Sequence, residues 1–445
     1  MGEVSRAERF RFHDRAFDPE TGELRLAYAF ERGEPLVETL VFPYTPWPRE
    51  ENRRSAFMRA LGLLHLLAGV SYWKAALPPV IEVGDHAVDP PLAEFLARTW
   101  TRGLGEFAYV NGLDLRDRIR FPVTAEASAD GVAVPPLDLP PRALVAMGGG
   151  KDSLVSLEML RDAGVEVQPV TVGASPLIAD TVRASGLPLI RIERRLAPRL
   201  GQMNAAGAWN GHVPVTAINM AILTCAALLY GYRWVVFSNE RSAEQPTLVD
   251  ASGVAVNHQY SKSLAFERDF RAVVAARVAP DLEVFSLLRQ FGEAAVARRF
   301  SDLTRYHGVF SSCNRNFHRD GARIEGRWCG QCPKCRFTSL ALAPWMTPEA
   351  VRAIVGRHLL DEPEQEPGFR ALCALGVDKP FECVGTVEES RSLLATLADR
   401  PGWRDASLVR TLAPEVAGAG KELANLLEPG GAHCIPEALR SRVAL

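Results

Sequence analysis

From Arg142 onward, short apolar runs alternate with longer segments in which apolar residues recur every three or four positions. The runs Leu144–Met147, Val167–Val172, Leu189–Ile192 and Trp234–Phe237 have the length of buried strands. Ser153–Asp162, Leu177–Ala184 and Val215–Tyr230 read as helices between them. Strands alternating with helices predict a parallel sheet covered on both faces. Ligands in such sheets bind beyond the carboxyl ends of the strands. The N-terminal part has another pattern. Phe10–Phe30 alternates apolar and polar positions around "DPETGE", which predicts a hairpin, and Leu36–Phe42 adds a strand. Ala56–Val70 and Leu92–Arg102 carry helical periodicity. The Pro- and Ala-rich stretch Val123–Arg142 separates the two patterns and reads as a linker. From Thr347 the chain is mostly helical, with no repeat. The expected fold class is α/β. It comprises an N-terminal α+β domain (1–122), a linker (123–141), a parallel-sheet domain (142–346) and a helical C-terminal region (347–445).

Composition narrows the partners. Of 445 residues, 47% are hydrophobic and 23% charged, which is ordinary for a globular chain. The 51 basic and 53 acidic residues leave a formal charge of -2, so neither nucleic acid nor a membrane surface is expected as a partner. "MGEVSRAERFRFHD" has no apolar leader, and Ala217–Leu229, broken by Asn219 and Thr224, is too short to span a bilayer. A cytoplasmic location is expected.

The first strand of the parallel pattern runs into "GGGKDS" and then a helix. A helix start carries unpaired N–H groups and a partial positive charge. Gly148, Gly149 and Gly150 let the backbone approach an anion. Lys151 adds charge against phosphate, Asp152 suits a divalent cation, and Ser153 suits a cap or an oxyanion. The Walker pattern fails because Asp152 follows the lysine, and the dinucleotide pattern fails because Ser153 stands at its last glycine. The loop instead resembles that of the PP-loop ATP pyrophosphatases, Ser-Gly-Gly-x-Asp-Ser. Gly149, Gly150, Asp152 and Ser153 match, and Gly148 replaces the usual serine. That resemblance implies ATP cleaved to AMP and diphosphate, Mg²⁺ at Asp152, and an adenine near Val172 and Gly173 in "PVTVGAS".

Other polar groups fall on the same predicted rim. Asn210 and His212 precede a buried helix, Glu240 and Arg241 end a strand, and "NHQYSKS" brings His258, Tyr260 and Lys262. Arginine is a natural fork for carboxylate. Glu240 is a candidate metal ligand or base. Of eight cysteines, Cys313, Cys329, Cys332 and Cys335 give C-x15-C-x2-C-x2-C. Four thiolates at that spacing suit tetrahedral zinc, and an iron–sulfur cluster uses the same ligands. The deazaguanine synthases of the queuosine pathway, also PP-loop enzymes, carry a comparable late zinc site. Cys225, Cys373, Cys383 and Cys434 lack partner spacing.

Taken as a set, "SYWKAALPP", "EFAYVNGLDL", "GGGKDS", "NGHVPVTA", "SNERSA", "NHQYSKS", "SSCNRNF" and "CPKCRF" resemble the UDP-N-acetylmuramoyl-L-alanyl-L-glutamate epimerases, the MurL family. The resemblance runs from Arg9 to Glu349. It implies ATP-dependent inversion of the terminal L-glutamate of a peptidoglycan precursor through an acyl-adenylate. It further implies that the base and acid come from Glu240, His258, Tyr260 and Lys262, and that Arg241 grips a substrate carboxylate. Trp73, Lys74, Tyr109 and Asn111 would then lie toward the nucleotide-sugar end of the substrate, in an N-terminal substrate-binding domain. Two other readings remain: a PP-loop enzyme of sulfur or nitrogen transfer that uses the cysteines chemically, and a nucleotide-binding module without catalysis.

Overall fold

The computed structural model describes residues 7–44, 47–124, 134–244, 248–249, 255–256, 259–316, 324–380, 382 and 384–443. The alternating N-terminal segments form a meander of β1 (Arg9–Asp18), β2 (Glu23–Phe30) and β3 (Leu36–Val41), edged by β4 (Val80–Glu82) parallel to β1. The apolar runs form β5 (Ala143–Ala146), β6 (Val167–Val172), β7 (Ile190–Arg195) and β8 (Trp234–Phe237). After the two-residue strands β9 (Leu248–Val249) and β10 (Ala255–Val256), which pair with each other, comes β11 (Glu283–Ser286). The sequence pattern did not single out β4 or β11, which span only three and four residues.

One mixed sheet of nine strands holds all but the small pair, in the order β11-β8-β5-β6-β7-β3-β2-β1-β4. Its β11-β8-β5-β6-β7 half is parallel, and β7 meets β3 antiparallel. The Pro-rich stretch therefore separates two sequence patterns but not two sheets. A buried ion pair marks the seam: Arg194 Nε donates to Glu38 Oε1 at 2.6 Å.

Alternate residues of the parallel strands serve two cores, as the two-residue period of a strand requires. Leu144 and Val235 pack with Phe10, Leu24, Trp73 and the helix Val215–Tyr230. Val145 and Val236 belong to a core with Leu154, Leu340, Leu393 and Leu412. On that face the helix Lys151–Asp162 packs on β5, β6 and β8, and the helical C-terminal region packs on the helices Glu293–Ser301 and Pro333–Leu342. The helix Val215–Tyr230 is apolar on every side, and the helix Glu51–Ala68 covers it beyond the sheet. The segment Glu51–Trp73 is long and apolar enough to cross a membrane, but here it is a core element, with 78% of its most apolar 18-residue stretch buried.

Two histidines are paired inside the N-terminal core. His65 Nε2 meets the Ala27 carbonyl at 3.0 Å, so that nitrogen carries the proton. His65 Nδ1 then accepts from His86 Nε2 at 2.9 Å. Burial holds both imidazoles neutral, His65 down at about 4 and His86 at about 3.

Candidate functional site at the carboxyl rim of the parallel sheet

The glycine loop lies beyond the carboxyl end of β5, as expected, but the helix after it begins at Lys151, one half-turn before Ser153. Lys151 and Asp152 therefore belong to the first helical turn. Gly149 has φ +79°, a conformation that favours glycine. The helix has no side-chain cap on its first N–H groups. The Ser153 hydroxyl staples the loop instead, accepting from Gly148 N at 3.3 Å and donating to the Gly150 carbonyl at 3.2 Å. Nothing lies within 4 Å of a Cβ built on Gly148, so the loop mouth is open there. Uncapped N–H groups facing an open, side-chain-free mouth fit a phosphate.

Lys151, read from the sequence as a charge against phosphate, faces two carboxylates in the structure. Its ammonium turns inward, 4% exposed, and bonds Glu293 and, at 2.5 Å, Asp152 Oδ1. Burial alone would lower its pKa. The charges of Asp152 and Glu293 outweigh burial and hold the amine charged. Glu240, at the end of β8, shares this electrostatic environment. Burial, then the charges of Glu389 and Asp152, push its carboxyl up to about 7, against hydrogen bonds from Ser242. A carboxylate with that value is poised as a base at neutral pH.

The remaining predicted residues separate into groups. Val172 ends β6, and Gly173 follows with φ +103° and open space around it, on the same rim as the glycine loop. Lys74 and Asn210 come together, Nζ to Oδ1 at 3.2 Å, and burial lowers the Lys74 amine to about 8. His212 Nδ1 sits 3.5 Å from Glu106 Oε2, far away in sequence. Trp73 lies wholly in the core with its indole N–H on the Pro78 carbonyl, which leaves it no face for a substrate. Tyr109 is 53% exposed, and Asn111 caps its own helix through the Phe107 carbonyl. Tyr260 packs beneath Arg102, whose guanidinium is 5.5 Å from the ring centroid. His258 lies outside the described residues. Arg241 lines a cavity of about 490 Å³ with Gly292, Glu389, Glu422 and Leu426, between the β8 and β11 ends and the C-terminal region.

The sequence reading missed Arg289. This fully buried guanidinium donates to the Glu240 carbonyl at 3.2 Å, the Lys262 carbonyl at 2.6 Å and Glu267 Oε2 at 3.1 Å. It ties the β8 end, the Tyr260–Lys262 turn and the helix Leu264–Arg277 together. The available signal was an arginine set in the apolar "FSLLRQF" just past β11.

The four cysteines converge, each Sγ within 4.8 Å of the others. Cys329–Cys335, Cys332–Cys313 and Cys332–Cys335 are 3.8, 3.9 and 3.5 Å apart. A tetrahedral zinc with bonds of about 2.3 Å needs thiolates roughly 3.8 Å apart. The thiols fit one metal ion; an iron–sulfur cluster, with sulfide between its irons, would hold them farther apart. Cys225, Cys373 and Cys434 are free, and Cys383 lies outside the described residues. The cysteine segment also touches the glycine loop, since Ser311 N donates to the Gly149 carbonyl at 3.1 Å.

Comparison with known proteins finds relatives along the length of the chain. Residues 1–287 match the model of the MurL N-terminal domain, and residues 309–426 that of the MurL C-terminal domain. The division between the two falls just after β11. A UDP-N-acetyl-alpha-D-muramoyl-L-alanyl-L-glutamate epimerase of Xanthomonas oryzae pv. oryzae is 49% identical over 438 residues, covering 98% of this chain and 96% of its own. The proteins of the same name from Salinispora tropica and a Micromonospora species are 40% and 41% identical, covering 98% of this chain and 95% and 97% of theirs. With both domain models matched and its length shared with these relatives, the chain belongs to the MurL family.

Proposed function

We propose that this protein inverts the terminal L-glutamate of UDP-N-acetylmuramoyl-L-alanyl-L-glutamate to D-glutamate, consuming ATP to AMP and diphosphate. The relatives' shared name supports the substrate. The observation that carries the mechanism is the pairing, on one rim of the sheet, of an open glycine loop with Glu240, a carboxyl pushed up to about 7.

The chemistry follows from charge. Removing the α-proton beside a free carboxylate builds a dianion. Joining that carboxylate to the α-phosphate of ATP, with diphosphate leaving, removes the charge and lets the carbonyl accept electron density. A base then takes the proton, an acid returns one on the opposite face, and water releases AMP and the carboxylate. In this reading the backbone of Gly148–Ser153 receives the phosphates, Asp152 holds Mg²⁺, and Lys151 holds Asp152 in place rather than meeting phosphate. Val172 and Gly173 border the adenine. Glu240 is the base, with the acid among Lys262, His258 and Tyr260. Arg241 grips a glutamate carboxylate, and Lys74, Asn210 and His212 meet the distal part of the substrate. The metal is zinc and structural, since two of its cysteines are buried and all four point at one another. That disfavours sulfur transfer. A reaction that joins ATP to a nucleotide-sugar substrate belongs in the cytoplasm.

The test is turnover in deuterated water with substrate, ATP and Mg²⁺. AMP, diphosphate and a D-glutamyl product deuterated at the α-carbon are expected, all absent in Asp152→Ala. ADP as product would remove the loop assignment. Diphosphate without deuterium would keep adenylation and remove the epimerase.

A further inference from the structure

The glycine loop commits its own side chains inward. Gly148, Gly149 and Gly150 have none to offer. Ser153 is engaged with Gly148 and Gly150, and Lys151 with Asp152 and Glu293. Yet one hydroxyl approaches the loop from elsewhere in the chain. Ser312 Oγ lies 3.1 Å from the position a Cβ would occupy on Gly150. Ser312 is half-buried, and its hydroxyl makes no hydrogen bond among the described residues.

Its placement is held on both sides. The preceding residue, Ser311, donates its N–H to the Gly149 carbonyl at 3.1 Å and its hydroxyl to the Arg327 carbonyl at 2.6 Å. Arg327 in turn bonds Asp180 at 2.8 Å, on the helix that follows β6. The next residue, Cys313, is one of the four clustered thiols. A hydroxyl positioned this firmly beside a bare loop, with no acceptor among the described residues, is suited to an anion seated on that loop.

We propose that Ser312 binds phosphate in the nucleotide site, its hydroxyl donating to an oxygen held over Gly148–Gly150. The cysteine segment thus supplies the side-chain donor that the loop lacks. Gly150 is bare because a side chain there would crowd this hydroxyl, and Gly148 is bare without crowding, which leaves the entrance open. The inference rests on reading the loop as the ATP site.

The experiment is calorimetric titration of the full-length, metal-loaded protein with α,β-methylene-ATP and Mg²⁺, with metal content measured in parallel. Ser312→Ala should bind about tenfold more weakly, the loss of one hydrogen bond to a charged group, while Ser312→Thr, which keeps the hydroxyl, stays within about threefold of the parent. If the parent protein does not bind the analogue, the loop reading itself fails. If the parent binds and Ser312→Ala binds equally well, the loop reading stands and the role of Ser312 falls. Equal weakening by Ala and Thr would show that the hydroxyl is not the contact, and would overturn the proposal too. Should Ser312→Ala lose its metal, Ser312→Val, which has the shape of the threonine variant without its hydroxyl, takes its place, with the same roughly tenfold weakening expected. Binding equal to that of the threonine variant would then overturn the proposal.

Discussion

At the scale of single residues, position decides whether a carboxylate is a base or a structural charge. Glu293 is tied to Lys151, and Glu389 accepts from Ala294 N and from Thr386 N within a capping box. Glu240, among the described residues, accepts from Ser242 alone, and burial first, then the charges of Glu389 and Asp152, holds its proton up to about 7. Below that pH it is protonated and cannot abstract a proton; above it, it can. The rate of epimerisation should therefore fall as pH drops through about 7. Glu240→Gln should slow α-proton exchange by about a hundredfold or more, the usual worth of a general base, while leaving AMP formation largely intact. Both are read from deuterium incorporation against diphosphate release across pH. Exchange within threefold of the parent would move the base to the Tyr260–Lys262 turn or to His258.

Among elements, the cysteine segment and the glycine loop behave as one unit. The helix Pro333–Leu342 begins at Cys332 as its cap residue and brings Cys335 into the core, while Arg336 reaches Gln365 of the C-terminal region at 2.8 Å. Ser311 and Cys313 carry that rigidity to Gly149. The protein should purify with about one zinc per chain, and Cys332→Ser should lose it. Structural zinc contributes on the order of 10 kcal/mol in small domains. Here two large cores persist without it, so the first loss should be local. Amide exchange at Gly148–Ser153 should speed up at least tenfold in Cys332→Ser, with the β1–β3 meander unchanged. Metal analysis finding neither zinc nor iron would end the metal assignment.

For the whole molecule, the sheet makes the parts dependent on one another. Leu393, Leu394, Leu412 and Leu439 of the C-terminal region share a core with Val145, Leu154 and Phe285. Removing that region uncovers the outer sides of the helices Glu293–Ser301 and Pro333–Leu342, on which it packs. A chain ending at Met346 should be recovered as aggregate, and the full-length protein should lose both cores in a single thermal transition. A soluble 1–346 fragment with native circular dichroism would instead make the C-terminal region a separate module.

Local pattern carried much of this protein in its sequence. Buried parallel strands appear as unbroken apolar runs because both faces are covered, and the loop and cysteines declare themselves because their chemistry lies within a few consecutive residues. β4 and β11 escaped because their short segments, VIE and EVFS, each carry a glutamate that breaks the apolar run by which the equally short β5 and β8 are recognised. What tertiary structure alone decided depends on residues far apart in the chain. Lys151 reads as a phosphate ligand until Glu293, 142 positions later, takes its ammonium. Arg289 is one arginine in an apolar run until Glu240, Lys262 and Glu267 surround it. The Pro-rich stretch reads as a boundary because local composition changes there, yet β3 and β7 pair across it. Backbone pairing and buried charge compensation join whichever groups the fold brings within 3 Å, and no local pattern records that proximity.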